Sequence, residues 1–147
     1  TSGFSSDEDV IGAVGEPTLG LFNTTRWAHD LDNAANKAFV AAFRKEYGGR
    51  YPSLYAAQAY DVIMAMDAAV KATGGKVSDK EALTKAIAKA QFPSVRGNFR
   101  YANNHFPVQN FYLRSIGKNA EGRVTNKTIR TVLENYGDAY AAQCKLK

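Results

Sequence analysis

The sequence predicts an α/β protein whose parallel sheet is incomplete. Residues 34–90 carry apolar positions that recur every three or four residues, a pattern typical of helices. Residues after 92 are instead rich in β-branched and aromatic side chains, which favour strands. Only one early segment, GLFNTT, has strand character among the helices, whereas a complete α/β layer needs several strands. We therefore expect a sheet whose N-terminal part is absent.

The first third of the chain predicts a helix, a strand and a second helix. SSDEDVIGAVG begins with possible N-caps and ends on Gly15, which indicates a short helix, and GLFNTT follows as a strand. The segment NAANKAFVAAFRKEYGG predicts the second helix, because apolar residues recur every fourth position and Gly48-Gly49 would end it. Asp32 or Asn33 is the expected cap.

Two further helices are predicted before residue 92. One begins after Pro52 and ends at Gly74-Gly75, and its residues are apolar nearly all round, which predicts burial between layers. Asp61 lies within that helix, so we expect its carboxylate to bind a neighbouring backbone or hydroxyl group. The next helix, SDKEALTKAIAKA, opens with an expected capping box of Ser78 and Glu81.

Three strands are predicted at the C-terminal end. They are GNFRY, VQNFYLRSI and RVTNKTIRTVL, separated by the polar turns ANNHFP and GKNAEG.

Composition excludes several classes of protein. Of 147 residues, 45% are hydrophobic and 22% are charged, as in ordinary globular proteins, and no apolar run is long enough to span a membrane. The net charge is +5, but the basic residues form no stripe, so we expect no nucleic-acid binding. The single cysteine, Cys144, excludes a thiolate metal site and an internal disulfide, and leaves a partner elsewhere undetermined. No metal site or cofactor is predicted, and Met64 and Met66 are interpreted as core filler.

Several features taken in order resemble a known family. Gly20 and Trp27 form a G-x-x-x-x-x-x-W pattern, and an Asp, Asn and Phe series runs from Asp32 to Phe39. These are followed by Tyr-Gly-Gly, by the proline at the start of the next helix, by AAQAYD, and by the Gly-Gly that ends that helix. These residues resemble the C-terminal half of type I periplasmic binding proteins. The most similar branch is the leucine/isoleucine/valine-binding family of ABC-transporter receptors. Trp27, Tyr55, Phe106 and the ending DAYAAQCK are similar to the subgroup that binds aromatic carboxylates.

The resemblance implies a two-lobed receptor in which each lobe is a parallel sheet flanked by helices. Residues 1–50 would belong to the second lobe, residues 51–106 to the first, and residues 107–147 would form the terminal crossover strands and tail. We then expect the chain to self-associate or to need the N-terminal half. The implied function is that of a periplasmic solute-binding component of an ABC transporter, which binds a branched-chain amino acid or aromatic acid and delivers it to a membrane permease. The alternative is a ligand-sensing regulatory domain of the same fold.

Four residues are candidates for ligand binding. Phe4 and Ser5 lie in TSGFSSDED, where Phe4 would wall a pocket or join the core, and Ser5 would hold the ligand or cap the helix. Trp27 would form a cleft wall or pack as a staple near Leu31. Tyr55 follows the expected crossover, where its hydroxyl would reach a carboxylate or its ring would pack at the lobe junction.

No catalytic residue is predicted. A triad of Ser5, His29 and Asp30 is conceivable, but adjacent residues rarely orient one another as a triad requires, and no nucleophile elbow is present. We interpret His29 and Asp30 as surface loop residues, and we expect no ligand contact from His105.

Overall fold

The structure is a computed structural model that describes residues 1–145. Its last two residues, which end the predicted 107–147 tail, lie outside the described range. All the predicted helices and strands are present. The helices are α1 (Glu8–Val14), α2 (Ala34–Glu46), α3 (Leu54–Ala72) and α4 (Lys80–Ala88), and the strands are β1 (Phe22–Thr25), β2 (Arg100–Tyr101), β3 (Pro107–Lys118) and β4 (Val124–Tyr136). None of these helices has the length and hydropathy needed to cross a membrane.

The strands of this sheet pair antiparallel, not parallel as expected. β3 is central: β4 pairs with it from Gln109 to Lys118, β1 pairs with its middle part from Tyr112 to Ser115, and β2 pairs with its first two residues. The short turn between β3 and β4 requires an antiparallel hairpin, and Asn119 stabilises it by accepting hydrogen bonds from the backbone of Glu121 and Arg123. One parallel bridge, between Ser2 and Thr24, joins the chain start to β1.

The hydrophobic core lies where α2 and the start of α3 meet the sheet. Trp27 and Phe39 contact each other edge to face with ring centroids 6.3 Å apart. The cluster of buried residues around them comprises Ala28, Leu31, Leu54, Ala57, Val95 and Tyr112. Asn33 caps α2 by accepting a hydrogen bond from the Asn36 backbone N–H, which resolves the choice between Asp32 and Asn33.

Helix α3 is buried on one side only, so the prediction of burial all round is wrong for the described chain. Its buried positions follow helical spacing: Leu54, Ala57, Asp61, Ala65 and Ala69. On the other side, Val62, Ile63 and Met66 are 53%, 63% and 48% exposed, because no described element packs over them.

Helix α4 begins at a different cap from the one predicted. Asp79, not Ser78, accepts the hydrogen bond from the Ala82 backbone N–H. Glu81 forms an ion pair with Lys85 one turn later, so it does not close a capping box.

A buried carboxylate connects three distant parts of the chain. Asp7, the residue before α1, accepts a hydrogen bond of 2.6 Å from the backbone N–H of Leu54 at the start of α3. Its other oxygen lies 3.7 Å from Nη1 of Arg114 on β3. Burial raises the pKa of Asp7 and lowers the pKa of Arg114, because both side chains are removed from water. This contact fixes the start of α3 against the loop that carries Phe4.

Candidate functional site

A cleft of about 410 Å³ opens where the first, middle and last parts of the chain meet. Its lining combines guanidinium, amide and aromatic groups: Arg26, Gln58, Arg96, Phe106, Gln109 and Phe111. A concave site with apolar walls and a few convergent polar groups is the usual form of a small-molecule site.

Arg26 supplies the cationic group of this cleft. It comes directly after β1 and before the buried Trp27, so the strand and the core together fix its backbone. Gln58, with its carbonyl oxygen turned to the guanidinium, accepts a hydrogen bond of 2.8 Å from Nε. Within residues 1–145, no carboxylate pairs with Arg26. Burial and then the charge of Arg96 lower its pKa, so a nearby anion would be favourable.

Arg96, in contrast, is already neutralised. Its Nε donates to Asp61 at 2.8 Å, its Nη1 donates to Gln109 at 2.9 Å, and its guanidinium lies 3.9 Å from the Phe99 ring centre. Asp61 also accepts from Ser94 Oγ and from the Val95 backbone N–H, as expected for a buried carboxylate on α3. Of the two arginines in the cleft, Arg26 is therefore the one whose charge is available to a ligand.

Two of the predicted ligand-binding residues, Phe4 and Tyr55, lie together beside Arg26. Their ring centroids are 6.0 Å apart, both rings are about half exposed, and the Arg26 guanidinium lies 5.2 Å from the centre of the Phe4 ring. Gly3 allows the segment that carries Phe4 to run close to β1, since a Cβ at position 3 would lie 2.5 Å from the Thr24 carbonyl oxygen.

Ser5 is exposed and forms a local turn. Its hydroxyl lies 2.6 Å from Ser2 Oγ, and its backbone N–H also donates to that oxygen. The residue before α1 is Asp7, so Ser5 does not cap the helix. The structure brings Ser5 near Phe4 but uses its hydroxyl locally.

Trp27 lies in the core and not at the cleft surface. Its side chain is fully buried, and its indole N–H donates to Asn36 Oδ1 at 2.8 Å. The Asn36 amide in turn donates to the carbonyls of Ala28, His29 and Leu31, which fixes the loop before α2. A ligand has no Trp27 surface to contact in this conformation, so we leave Trp27 out of the proposed contact set.

We expect the fluorescence of Trp27 to be insensitive to ligand. A fully buried indole should emit at short wavelength and resist quenching by iodide, and a ligand in the cleft would not change its surroundings. The measurement is the difference spectrum between the full-length protein and its Trp27→Phe variant, with and without a saturating aromatic carboxylate. A ligand-dependent change in that difference would place Trp27 at the cleft wall.

His29 is not a surface residue, contrary to the sequence-based interpretation. Its side chain is 9% exposed, its Nε2 lies 3.0 Å from Thr125 Oγ1 and 3.5 Å from Glu8 Oε1, and its ring stacks on Tyr51 at 4.1 Å. Asp30 is exposed but accepts two hydrogen bonds from Thr128 on β4. His29 and Asp30 thus attach their loop to β4, and neither approaches Ser5 as a triad would require.

Neither a second cavity nor a metal site is a better candidate than this cleft. A larger cavity of about 710 Å³ lies between α4 and the turn after β2, lined by residues that include Lys80, Lys89 and His105. It draws on residues 80–105 alone and its lysines are on the surface, so we place the site in the smaller cleft. Across residues 1–145, no group of three potential metal ligands is assembled.

The sequence patterns missed Arg26, Gln58, Arg96 and Gln109. Arg26 lies within the same strand-end segment as Trp27, where its position was a usable signal. The other three follow Arg26 by 32, 70 and 83 residues, so only tertiary structure brings them to it.

The fold and the cleft together have the features of a small-molecule-binding protein. A family model described as periplasmic binding protein matches residues 1–123, and the chain therefore belongs to the periplasmic binding protein family.

The relatives and similar structures are transport and ligand-binding proteins. A Leu/Ile/Val-binding protein homolog 6 from Brucella abortus (strain 2308) is 33% identical over 139 residues, covering 90% of this chain and 34% of its own length. A solute-binding protein of an ABC transporter from R. palustris, in complex with benzoate, has 38% identity and a TM-score of 0.85, covering 99% of this chain and 38% of that one.

A third protein is similar at a comparable level. It is a solute-binding protein of an ABC transporter from Rhodopseudomonas palustris BisB5 in complex with 3,4-dihydroxybenzoic acid, with 30% identity, a TM-score of 0.80, and coverage of 90% and 36% of the two chains. This chain thus spans about a third of the length of the relatives it matches. None of these three proteins is described as a regulator, so they lend no support to the regulatory alternative.

Proposed function

We propose that this chain provides part of the ligand site of an ABC-transporter solute-binding protein that takes up a small aromatic carboxylate. One observation carries the proposal: Arg26 is a half-buried guanidinium without a carboxylate partner in the described chain, and it faces a cleft with aromatic walls. An arginine fork is well suited to a carboxylate, and the rings would enclose the apolar part of the ligand.

The polar groups of the cleft favour an aromatic acid over a branched-chain amino acid. An amino acid also carries an ammonium group, which needs an acceptor such as a carboxylate. Asp61 is occupied by Arg96, and Asp138, at the cleft edge, accepts from Asn104 and from the Tyr140 backbone N–H. The benzoate and dihydroxybenzoic acid bound by the two similar structures also support an aromatic ligand.

We further propose the lobe assignment that the family resemblance implies. Residues 1–50 would belong to the second lobe, residues 51–106 to the first, and residues from 107 onward would cross back. The cleft takes Arg26, Gln58 and Gln109 from these three parts, which suits a ligand that bridges two lobes and stabilises their closed arrangement. The exposed apolar side of α3 would then pack against the N-terminal half of a two-lobed fold, or against a second copy of the chain.

The whole protein would act outside the cytoplasm, deliver its ligand to a membrane permease, and catalyse no reaction. The family membership and the transport roles of the relatives support this assignment. The ligand recovered after prolonged incubation should therefore be chemically unchanged.

A ligand screen tests the proposal. We expect benzoate and hydroxylated benzoates to raise the melting temperature of the full-length protein, since a ligand at 100 times its Kd adds about 2.7 kcal/mol of stability. Leucine, isoleucine and valine are the matched comparison. Stabilisation by those amino acids alone would refute the aromatic assignment, and stabilisation by neither group would refute a small-carboxylate receptor.

A further inference from the structure

Gln109 is a buried amide whose two ends face different surroundings. Its side chain lines the cleft and is only 4% exposed. Its Oε1 accepts a hydrogen bond of 2.9 Å from Nη1 of Arg96, whereas its Nε2 has no hydrogen-bond partner among residues 1–145. The unused N–H donors of Gln109 are therefore available on the cleft side.

The chemistry of arginine fixes this orientation. A guanidinium can only donate hydrogen bonds, so the amide must turn its oxygen towards Arg96. Asp61, which also binds Ser94, and the Phe99 ring hold the Arg96 guanidinium in place. The fixed guanidinium leaves the Gln109 amide one favourable orientation. Asp61 and Arg96 thus act as positioning residues for the Gln109 amide.

We infer that Gln109 donates a hydrogen bond to the carboxylate of the ligand and so determines, together with Arg26, that the site takes acceptor-only anions. This inference rests on the proposed function and deepens it. Both side chains offer only donors to the same cleft, so they match a group that presents only acceptor oxygens. A primary amide in place of the carboxylate would keep one acceptor oxygen but lose the charge and the second acceptor, so its binding would be weaker.

Two substitutions of equal length test the role of Gln109 in the full-length protein. Gln109→Met removes the donor, and Gln109→Glu replaces it with a negatively charged acceptor while keeping the shape and the bond to Arg96. We expect the Kd for benzoate to rise about 2- to 10-fold in Q109M and more than tenfold in Q109E. A purely structural role would give the reverse order, because glutamate resembles glutamine more closely than methionine does. Gln91→Glu, at an exposed position, controls for the added charge and should bind like the unsubstituted protein.

The choice of ligand separates the possible outcomes. Benzoate has no polar group other than its carboxylate, so benzoate binding that is weakened in Q109M and weakened further in Q109E supports the inferred contact. Unchanged benzoate binding in Q109E, or a loss confined to hydroxylated benzoates, would overturn it while leaving the proposed function intact. If the unsubstituted protein binds neither benzoate nor its hydroxylated forms, the proposed function fails and this inference fails with it. Thermal unfolding of each variant verifies that the fold is retained.

Discussion

Replacing Arg26 by methionine is expected to weaken benzoate binding by about 10- to 150-fold. Hydrogen bonds to a charged group contribute about 1.5–3 kcal/mol, and each 1.4 kcal/mol changes Kd tenfold. The effect should lie near the upper end, because Arg26 is half-buried and its charge is weakly screened by water. Isothermal titration of the full-length protein with benzoate provides the measurement.

Two comparison variants distinguish loss of the ligand contact from loss of structure. Arg26→Lys keeps the charge but loses the planar fork, so its Kd for benzoate should lie between those of the unsubstituted protein and R26M. Arg130→Met removes one positive charge from an exposed position on β4 and should leave Kd unchanged. The unfolding free energy of R26M should fall by only about 1 kcal/mol, because the substitution removes a hydrogen bond to Gln58 but no ion pair with a carboxylate of residues 1–145. Full benzoate affinity in R26M would refute the anion site.

Replacing Asp61 by alanine should be the most destabilising change in this region. The Asp61 side chain has no exposure, and it accepts hydrogen bonds from Ser94, the Val95 backbone and Arg96. Its removal leaves the Arg96 guanidinium, only 8% exposed, without its counter-charge. Breaking a buried pair in this way typically lowers the unfolding free energy by about 3–5 kcal/mol. Chemical denaturation of the full-length protein measures the change.

Helix α3 offers a matched control six residues further along. Asp67 is also an aspartate on α3, but it is paired with Lys71 on the surface, so Asp67→Ala should change the unfolding free energy by less than about 1 kcal/mol. Adding Arg96→Met to Asp61→Ala should recover part of the lost stability, because it removes the unpaired buried charge. Equal effects of the two alanine substitutions would refute the buried-pair account.

Local sequence patterns predicted the elements of this fold well. The four-residue spacing that includes Phe39 predicts α2, Pro52 and Gly74-Gly75 bracket α3, and the β-branched run near the C-terminus predicts β4. These signals succeed because helix and strand formation depends on neighbours within a few residues. The same locality explains the error at α4, since Ser78 and Asp79 are adjacent caps that only backbone geometry distinguishes.

The residues of the candidate site were harder to predict from local sequence patterns. Phe4 and Tyr55 were selected as separate candidates, and the structure places their rings 6.0 Å apart. His29 looked like a loop residue because its partners, Thr125 and Glu8, are distant in sequence. Trp27 was a reasonable cleft candidate from its position, but its indole is satisfied by Asn36 inside the core. Burial and partner identity are properties of the folded chain, so no local pattern encodes them.

The sequence by itself therefore determined the order of elements, the family resemblance, and the aromatic character of the candidate site. Tertiary structure alone decided which arginine is available to an anion. Arg26 and Arg96 are chemically identical, and only the approach of Asp61 from α3 neutralises one and leaves the other facing the cleft. The physical reason is that a charge acquires its role from groups within a few ångströms, and those groups are supplied by segments far apart in the chain.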